Sequence, residues 1–184
     1  QFSKIKYILT TGEGIYKMVL SFTGKVFYLL VSSGGLVFWA ILAGIMQLRK
    51  GFAEKRSYIV VFAGLSLIFS VGISAVMMVG GGRIDCTVYG RYSEFLIGIL
   101  LVSGMYFMYE YKLRFVHLGI YAGLLLVGGI IVMYALKTGK TFTYIQSVGA
   151  GLFYDDVTGK FRLFAYVMFG LAIGTIGYWA GRWK

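Results

Sequence analysis

Proline is absent from all 184 residues, histidine and cysteine occur once each (His117 and Cys86), and acidic residues number only seven. One cysteine excludes an intrachain disulfide, and with one histidine a His/Cys metal cluster is excluded as well. No nucleophile–base pair and no zinc-ligand spacing occurs. Gly80-Gly81-Gly82 lacks the strand-then-helix context of a phosphate-binding loop. The residue pattern therefore reveals no self-sufficient active site. The lack of proline is unusual for a polytopic protein, and nothing in the sequence gives it a physical cause.

What is present is apolar. Hydrophobic residues make up 59% of the chain and charged residues 14%, against roughly 45–50% and about 25% in soluble domains. A bilayer core takes about 20 apolar residues per helical span, so this length holds five or six spans and no separate soluble domain. The 27 glycines suit close helix packing in lipid, where small residues let backbones approach. Eighteen Lys and Arg against seven acids give a net charge of +11. Basic residues at the ends of spans face anionic headgroups. Nucleic acid is not the expected partner, because its binding signature needs a solvent-exposed basic face.

The hydrophobic pattern predicts an all-α integral membrane protein with about five transmembrane helices and an N-terminal amphipathic interfacial segment. In residues 1–25 the apolar run is broken by Lys4, Lys6, Glu13, Lys17 and Lys25, while Ile8, Ile15, Val19 and Phe22 keep roughly helical spacing. That predicts a pair of amphipathic helices on the membrane surface, broken near Thr10-Thr11-Gly12. Residues 26–184 form the bundle, with spans expected at about 26–47, 58–79, 95–108, 115–136 and 163–180. The charge cluster at 48–57, together with Lys112, Arg114 and the C-terminus, is expected on the cytoplasmic side. Loops 81–94 and 137–160 then face the other side. The chain opens at Gln1 without a signal peptide, and is expected to be excised from a longer polypeptide.

Two polar segments are candidates for chemistry. Loop 83–94 places Arg83, Asp85, Arg91 and Glu94 among Tyr89 and Tyr92, with charges that sum to zero. Residues 91–94 run straight into the third span, so Arg91 and Glu94 are expected near headgroup depth, where charges are costly and retained for function. Arg is suited to phosphate because its planar guanidinium holds two oxygens at once. The same Arg91 and Glu94 also read as an i,i+3 ion pair capping a helix. In the connection 137–160, Asp155 and Asp156 could hold a divalent cation together with phosphate oxygens. Asp-Asp shortly before Thr-Gly is equally an ordinary turn sequence. His117, near Arg114, needs no role as a neutral interfacial histidine.

The run Gly81-Gly82-Arg83-Ile84-Asp85-Cys86-Thr87-Val88-Tyr89-Gly90-Arg91-Tyr92-Ser93-Glu94 resembles a segment between two spans in bacterial GT-C-like glycosyltransferases, which use polyprenyl-phosphate-linked sugars. Gly24-Lys25-Val26-Phe27-Tyr28-Leu29-Leu30-Val31-Ser32-Ser33-Gly34-Gly35-Leu36 is similar to their passage from an interfacial segment into a span. The resemblance covers roughly 20–110. It implies the C-terminal membrane part of such an enzyme, in the bacterial cytoplasmic membrane, with a lipid-phosphate-linked sugar and the upstream part of the polypeptide as partners. By the resemblance Arg91 contacts the donor phosphate, Tyr89 and Tyr92 line the carrier groove, and Asp85 and Glu94 orient the arginines, Arg83 included. The acidic catalytic residue of these enzymes lies in an early extracytoplasmic loop, and nothing here matches it. Two other readings compete. A small substrate-binding or transport module, like the capture subunit of a vitamin transporter, would also be small, Gly-rich and aromatic. In a structural membrane subunit, loop 83–94 would only make partner contacts.

Overall fold

Thr11 divides the N-terminal segment into two helices, α1 (Phe2–Thr10) and α2 (Gly12–Ser32). Its backbone is extended, with φ −124° and ψ 137°. Its hydroxyl accepts the Gly14 N–H at 3.0 Å and donates to the Tyr7 carbonyl at 2.7 Å. One side chain thus caps α2 and ties it to the end of α1. The computed structural model describes residues 2–49, 55–79, 94–110, 114–136, 154–155 and 160–182.

Nothing interrupts α2 between residues 25 and 26; it runs on to Ser32, and the chain breaks instead at Ser33-Gly34-Gly35. The Gly34 N–H bonds the Val31 carbonyl at 3.0 Å and the Gly35 N–H the Leu30 carbonyl at 2.9 Å. This is the Schellman pattern, which needs a left-handed residue past the helix end. Gly34 supplies it with φ 58°, and Gly35 follows with φ 83°. Ser33 joins both sides of the break. Its hydroxyl donates to the Leu30 carbonyl at 3.3 Å and accepts the Val37 N–H at 3.2 Å. Helix α3 (Leu36–Arg49) then begins with the Trp39 N–H on the Gly35 carbonyl. The stretch 26–47, expected as one span, is therefore two helices. Small residues are compatible with a transmembrane helix, but two consecutive glycines after a serine close one more cheaply than they continue it.

The remaining helices are α4 (Lys55–Met78), α5 (Glu94–Glu110), α6 (Phe115–Leu136) and α7 (Leu163–Arg182). Between α6 and α7, β1 (Tyr154–Asp155) and β2 (Lys160–Phe161) pair antiparallel, Tyr154 opposite Phe161 and Asp155 opposite Lys160. The architecture is all-α, with seven helices among the described residues. Four are long and apolar enough to cross a membrane, over Gly12–Ser32, Ser57–Met78, Phe115–Val132 and Leu163–Ala180. Leu36–Arg49 and Phe95–Tyr106 are apolar but shorter. Large apolar side chains such as Ile59, Phe62, Phe69, Val102 and Phe164 are exposed. A soluble surface rarely shows so much apolar area; a lipid-facing one requires it. The chain is an integral membrane protein.

Helix α2 is the centre of the packing, against α6, α4, α1 and α7. Phe27 lies over Gly128 and Gly129, and Tyr121 lies over Gly35, so α2 and α6 run antiparallel. Val167 meets Gly129, and Tyr121 meets Gly174, so α7 is antiparallel to α6. The start of α2, the end of α6 and the start of α7 therefore share one face. Lys4 on α1 donates to the Met77 carbonyl at 3.3 Å, which brings the end of α4 to that face too. The chain consequently enters both polar connections, after residues 79 and 136, from the side where α1 lies.

The helix break is enclosed. Ile173 packs on Gly34, and the Tyr121 ring covers Gly35 and donates from its hydroxyl to the Gly170 carbonyl at 3.0 Å. Gly104 of α5 sits against the Leu36 carbonyl, and α3 packs more extensively on α5 than on any other helix. Irregular backbone at membrane depth is tolerated only when protein or water satisfies it. Here protein does.

Candidate functional site: a buried polar face on α2

Four polar side chains of α2 recur at i, i+4, i+7 and i+11: Ser21, Lys25, Tyr28 and Ser32. That spacing puts them on one face of the helix. The face is turned into the protein, with Lys25 1% exposed, Tyr28 2% and Ser21 6%. The Lys25 ammonium donates to Ser21 Oγ at 2.8 Å. At the far end, Ser32 Oγ and Tyr166 Oη of α7 lie 3.4 Å apart. Phe27 packs edge-to-face on Tyr166, with ring centroids 5.5 Å apart, and holds that phenol against α2.

Lys25 lies at an informative depth. Its near neighbour in sequence, Phe27, packs beside Gly129, which meets Val167, one turn into α7. Lys25 is therefore inside the bundle, between the α1 end of α2 and the break at 33–35. A lysine in a membrane helix costs about 2.5–3.5 kcal/mol at the centre, less towards the interface, and such residues usually face a bundle interior and mark a ligand or ion path. Lys17, two turns earlier, is different. It is only half-buried and pairs with Glu13 at 2.7 Å. Two lysines of one helix thus have different surroundings.

The neighbouring side of α2 is apolar. Phe22, Val26 and Leu29 wall a cleft of about 180 Å³ with Ile41 of α3 and Leu67 and Val71 of α4. Its described lining is wholly apolar. Phe22, Ile41 and Ile68 at its rim are exposed, so the cleft opens on the lipid-facing surface. Trp39 Nε1 and Ser74 Oγ are buried with no hydrogen-bond partner among the described residues.

Most of the sequence-predicted site falls outside the described residues. Arg83, Asp85, Tyr89, Arg91 and Tyr92 lie outside the described residues, and Glu94 is the first residue of α5. Asp155 lies in β1 opposite Lys160, and Asp156 lies outside the described residues. Among the described residues no three His, Cys, Asp or Glu side chains gather where they could hold a metal. His117 has a local structural role. Its Nδ1 accepts the Arg114 N–H at 3.3 Å while its own N–H bonds the Arg114 carbonyl at 3.0 Å, a reciprocal cap at the start of α6.

Sequence reasoning counted Lys25 with the lysines of an interfacial surface and missed the face it belongs to. The signal was available as the recurrence of Ser21, Lys25, Tyr28 and Ser32 along one stripe. Tyr166 carried no such signal, because only the tertiary fold places it opposite Ser32. No family model, curated protein or solved structure matches the chain.

Proposed function

We propose that the chain binds a lipid-phosphate-linked sugar, as the C-terminal membrane part of a glycosyltransferase-like protein. The observation that carries the reading is the two-sidedness of α2. One side walls a lipid-open apolar cleft, and the adjoining side is a buried face with an ammonium and hydroxyls. A ligand suited to both has a hydrocarbon tail and an anionic, hydroxyl-bearing head. Polyprenyl-phosphate sugars have that chemistry.

In this reading Arg91 meets the donor phosphate, with Arg83 nearby and Asp85 and Glu94 orienting the guanidinium groups. Tyr89 and Tyr92 border the carrier. Transfer of the sugar leaves negative charge on the phosphate, and fixed cations at that position stabilise it as it develops. The general base comes from elsewhere in the polypeptide. Loops 81–94 and 137–160 are extracytoplasmic, the C-terminus is cytoplasmic, and the membrane is the bacterial cytoplasmic one. The shared face from which the chain enters both polar connections supports their lying on one side.

Arg91→Ala tests this. Losing a charge-assisted contact to phosphate is expected to weaken binding of a polyprenyl-phosphate sugar about 10- to 100-fold, measured by native mass spectrometry on purified protein. Unchanged affinity would remove Arg91 from the site. No binding by the unsubstituted protein would reject the reading and favour a structural subunit.

A further inference from the structure

We infer that Arg114 and Arg182 form a site for the phosphate of an anionic bilayer lipid, at the end of the bundle opposite the α1 face. The inference stands apart from the glycosyl-donor reading, whose polar connections are entered from the other end. It rests on where the two guanidinium groups lie and on what they lack. Arg114 comes one residue before the span Phe115–Val132, and Arg182 two residues after the span Leu163–Ala180. Because α6 and α7 are antiparallel, both arginines stand at the same membrane boundary, where lipid phosphates lie. Both are exposed. Neither guanidinium has an ion-pair partner among the described residues.

The fold draws the two together and anchors one of them. Arg182 Nη1 donates to Tyr178 Oη at 2.9 Å, one turn back on α7. Tyr178 is wholly buried, packed edge-to-face by Phe115 with centroids 6.4 Å apart and by Trp179 at 5.8 Å. The ring that anchors Arg182 thus packs against the residue next to Arg114. The Arg114 backbone is fixed in turn by its reciprocal bonds with His117. The bond to a buried phenol lowers the side-chain entropy that binding must remove, and it leaves the other N–H donors of Arg182 for phosphate oxygens. Arginine suits a phosphodiester because its planar fork holds two oxygens at once. Phe115 and Trp179 are exposed beside the pair, so a headgroup held there has its acyl chains against aromatic surface. That flanking favours a lipid over free phosphate.

Binding of phosphatidylglycerol and of phosphatidylcholine is measured by native mass spectrometry on the purified full chain in neutral detergent. The variants are Arg114→Gln, Arg182→Gln, Tyr178→Phe and, at the α1 end, Lys6→Gln. Phosphatidylglycerol is expected to bind the unsubstituted protein about tenfold more tightly than phosphatidylcholine. Each arginine substitution should weaken it about fivefold and leave phosphatidylcholine unchanged. Tyr178→Phe, which removes the anchor and keeps the charge, should weaken it about twofold to threefold. If Arg182→Gln fails to fold, Arg114→Gln carries the test, because the Arg114 side chain makes no hydrogen bond among the described residues. Equal affinity of the unsubstituted protein for the two lipids would overturn the inference, as would unchanged phosphatidylglycerol binding in both arginine variants. An equal loss in Lys6→Gln would overturn it too, by marking a general attraction to basic charge. Displacement of phosphatidylglycerol by millimolar inorganic phosphate would reject a lipid as the ligand.

Discussion

Gly104→Leu is expected to lower the thermal unfolding temperature in detergent by about 10 °C, whereas Gly98→Ala on the same helix leaves it unchanged or slightly raised. A Cβ at Gly104 meets the Leu36 carbonyl oxygen, followed by the carbonyl carbon at 2.9 Å and Leu36 Cα at 3.2 Å. These are backbone atoms in the first residue of α3, and no rotamer change removes them. The helix pair must separate, and this is the most extensive helix contact in the bundle. Overpacking costs about 1–3 kcal/mol when neighbours can adjust and more when they cannot. At about 3 kcal/mol the shift is near 10 °C for a chain of this size. Gly98 faces open space, with nothing within 4 Å of its added Cβ, and glycine in a helix interior costs about 0.5–1 kcal/mol relative to alanine. Equal shifts for the two variants would mean that α3 and α5 do not meet as described.

Gly35→Val should have a comparable effect for two separate reasons. Residue 35 has φ 83°, where a β-branched side chain is strained by about 1–2 kcal/mol. Its Cβ would also lie 2.8 Å from Tyr121 Cζ and 2.9 Å from Tyr121 Oη. Displacing that ring breaks its hydrogen bond to the Gly170 carbonyl, leaving a buried hydroxyl and carbonyl to find other partners. The expected total is about 3–4 kcal/mol, visible as lowered thermal stability. A second readout is specific to the site. Trp39 lies 6.2 Å from the Tyr121 ring, centroid to centroid, so its fluorescence should change with Tyr121 while helix content by circular dichroism stays constant. A stable variant with unaltered Trp39 emission would indicate a continuous α2–α3 helix in place of the break.

These two positions show what composition conveyed and what it did not. The all-α membrane character follows from apolar content and run length, which do not depend on how helices meet. The division at Thr11 also had a local cause, a capping threonine between two helical patterns. The break at 33–35 has a local cause as well, yet hydropathy hides it. Ser33, Gly34 and Gly35 are polar or small without being charged, and small residues are frequent in continuous membrane helices. The αL cap becomes legible only when Gly34-Gly35 is read as a stop signal. Close approaches such as Gly104 on Leu36 are out of reach of any single-chain pattern, because the partner lies 68 residues away.

The candidate site divides along the same line. Loop 83–94 stood out because its charges contrast with the apolar spans on either side, and charge contrast is a property of sequence. Lys25 did not, because a lysine between apolar residues reads as the polar face of an interfacial helix. Whether that face meets water or protein depends on what packs around it. Lys17 and Lys25 make the point within one helix, the first half-buried beside Glu13 and the second buried with Ser21. Periodicity assigns a residue to a face; tertiary packing decides what the face touches.

The proposal that this membrane bundle holds a lipid-phosphate-linked sugar is tested most directly by the lipids that leave the membrane with it. The protein would be purified from its native membrane in mild detergent, and bound lipids extracted and quantified by mass spectrometry against the bulk membrane. The account predicts strong enrichment of polyprenyl phosphate or its sugar conjugate, reduced in Arg91→Ala. A lipid profile matching the bulk membrane, unchanged by that substitution, would contradict the account.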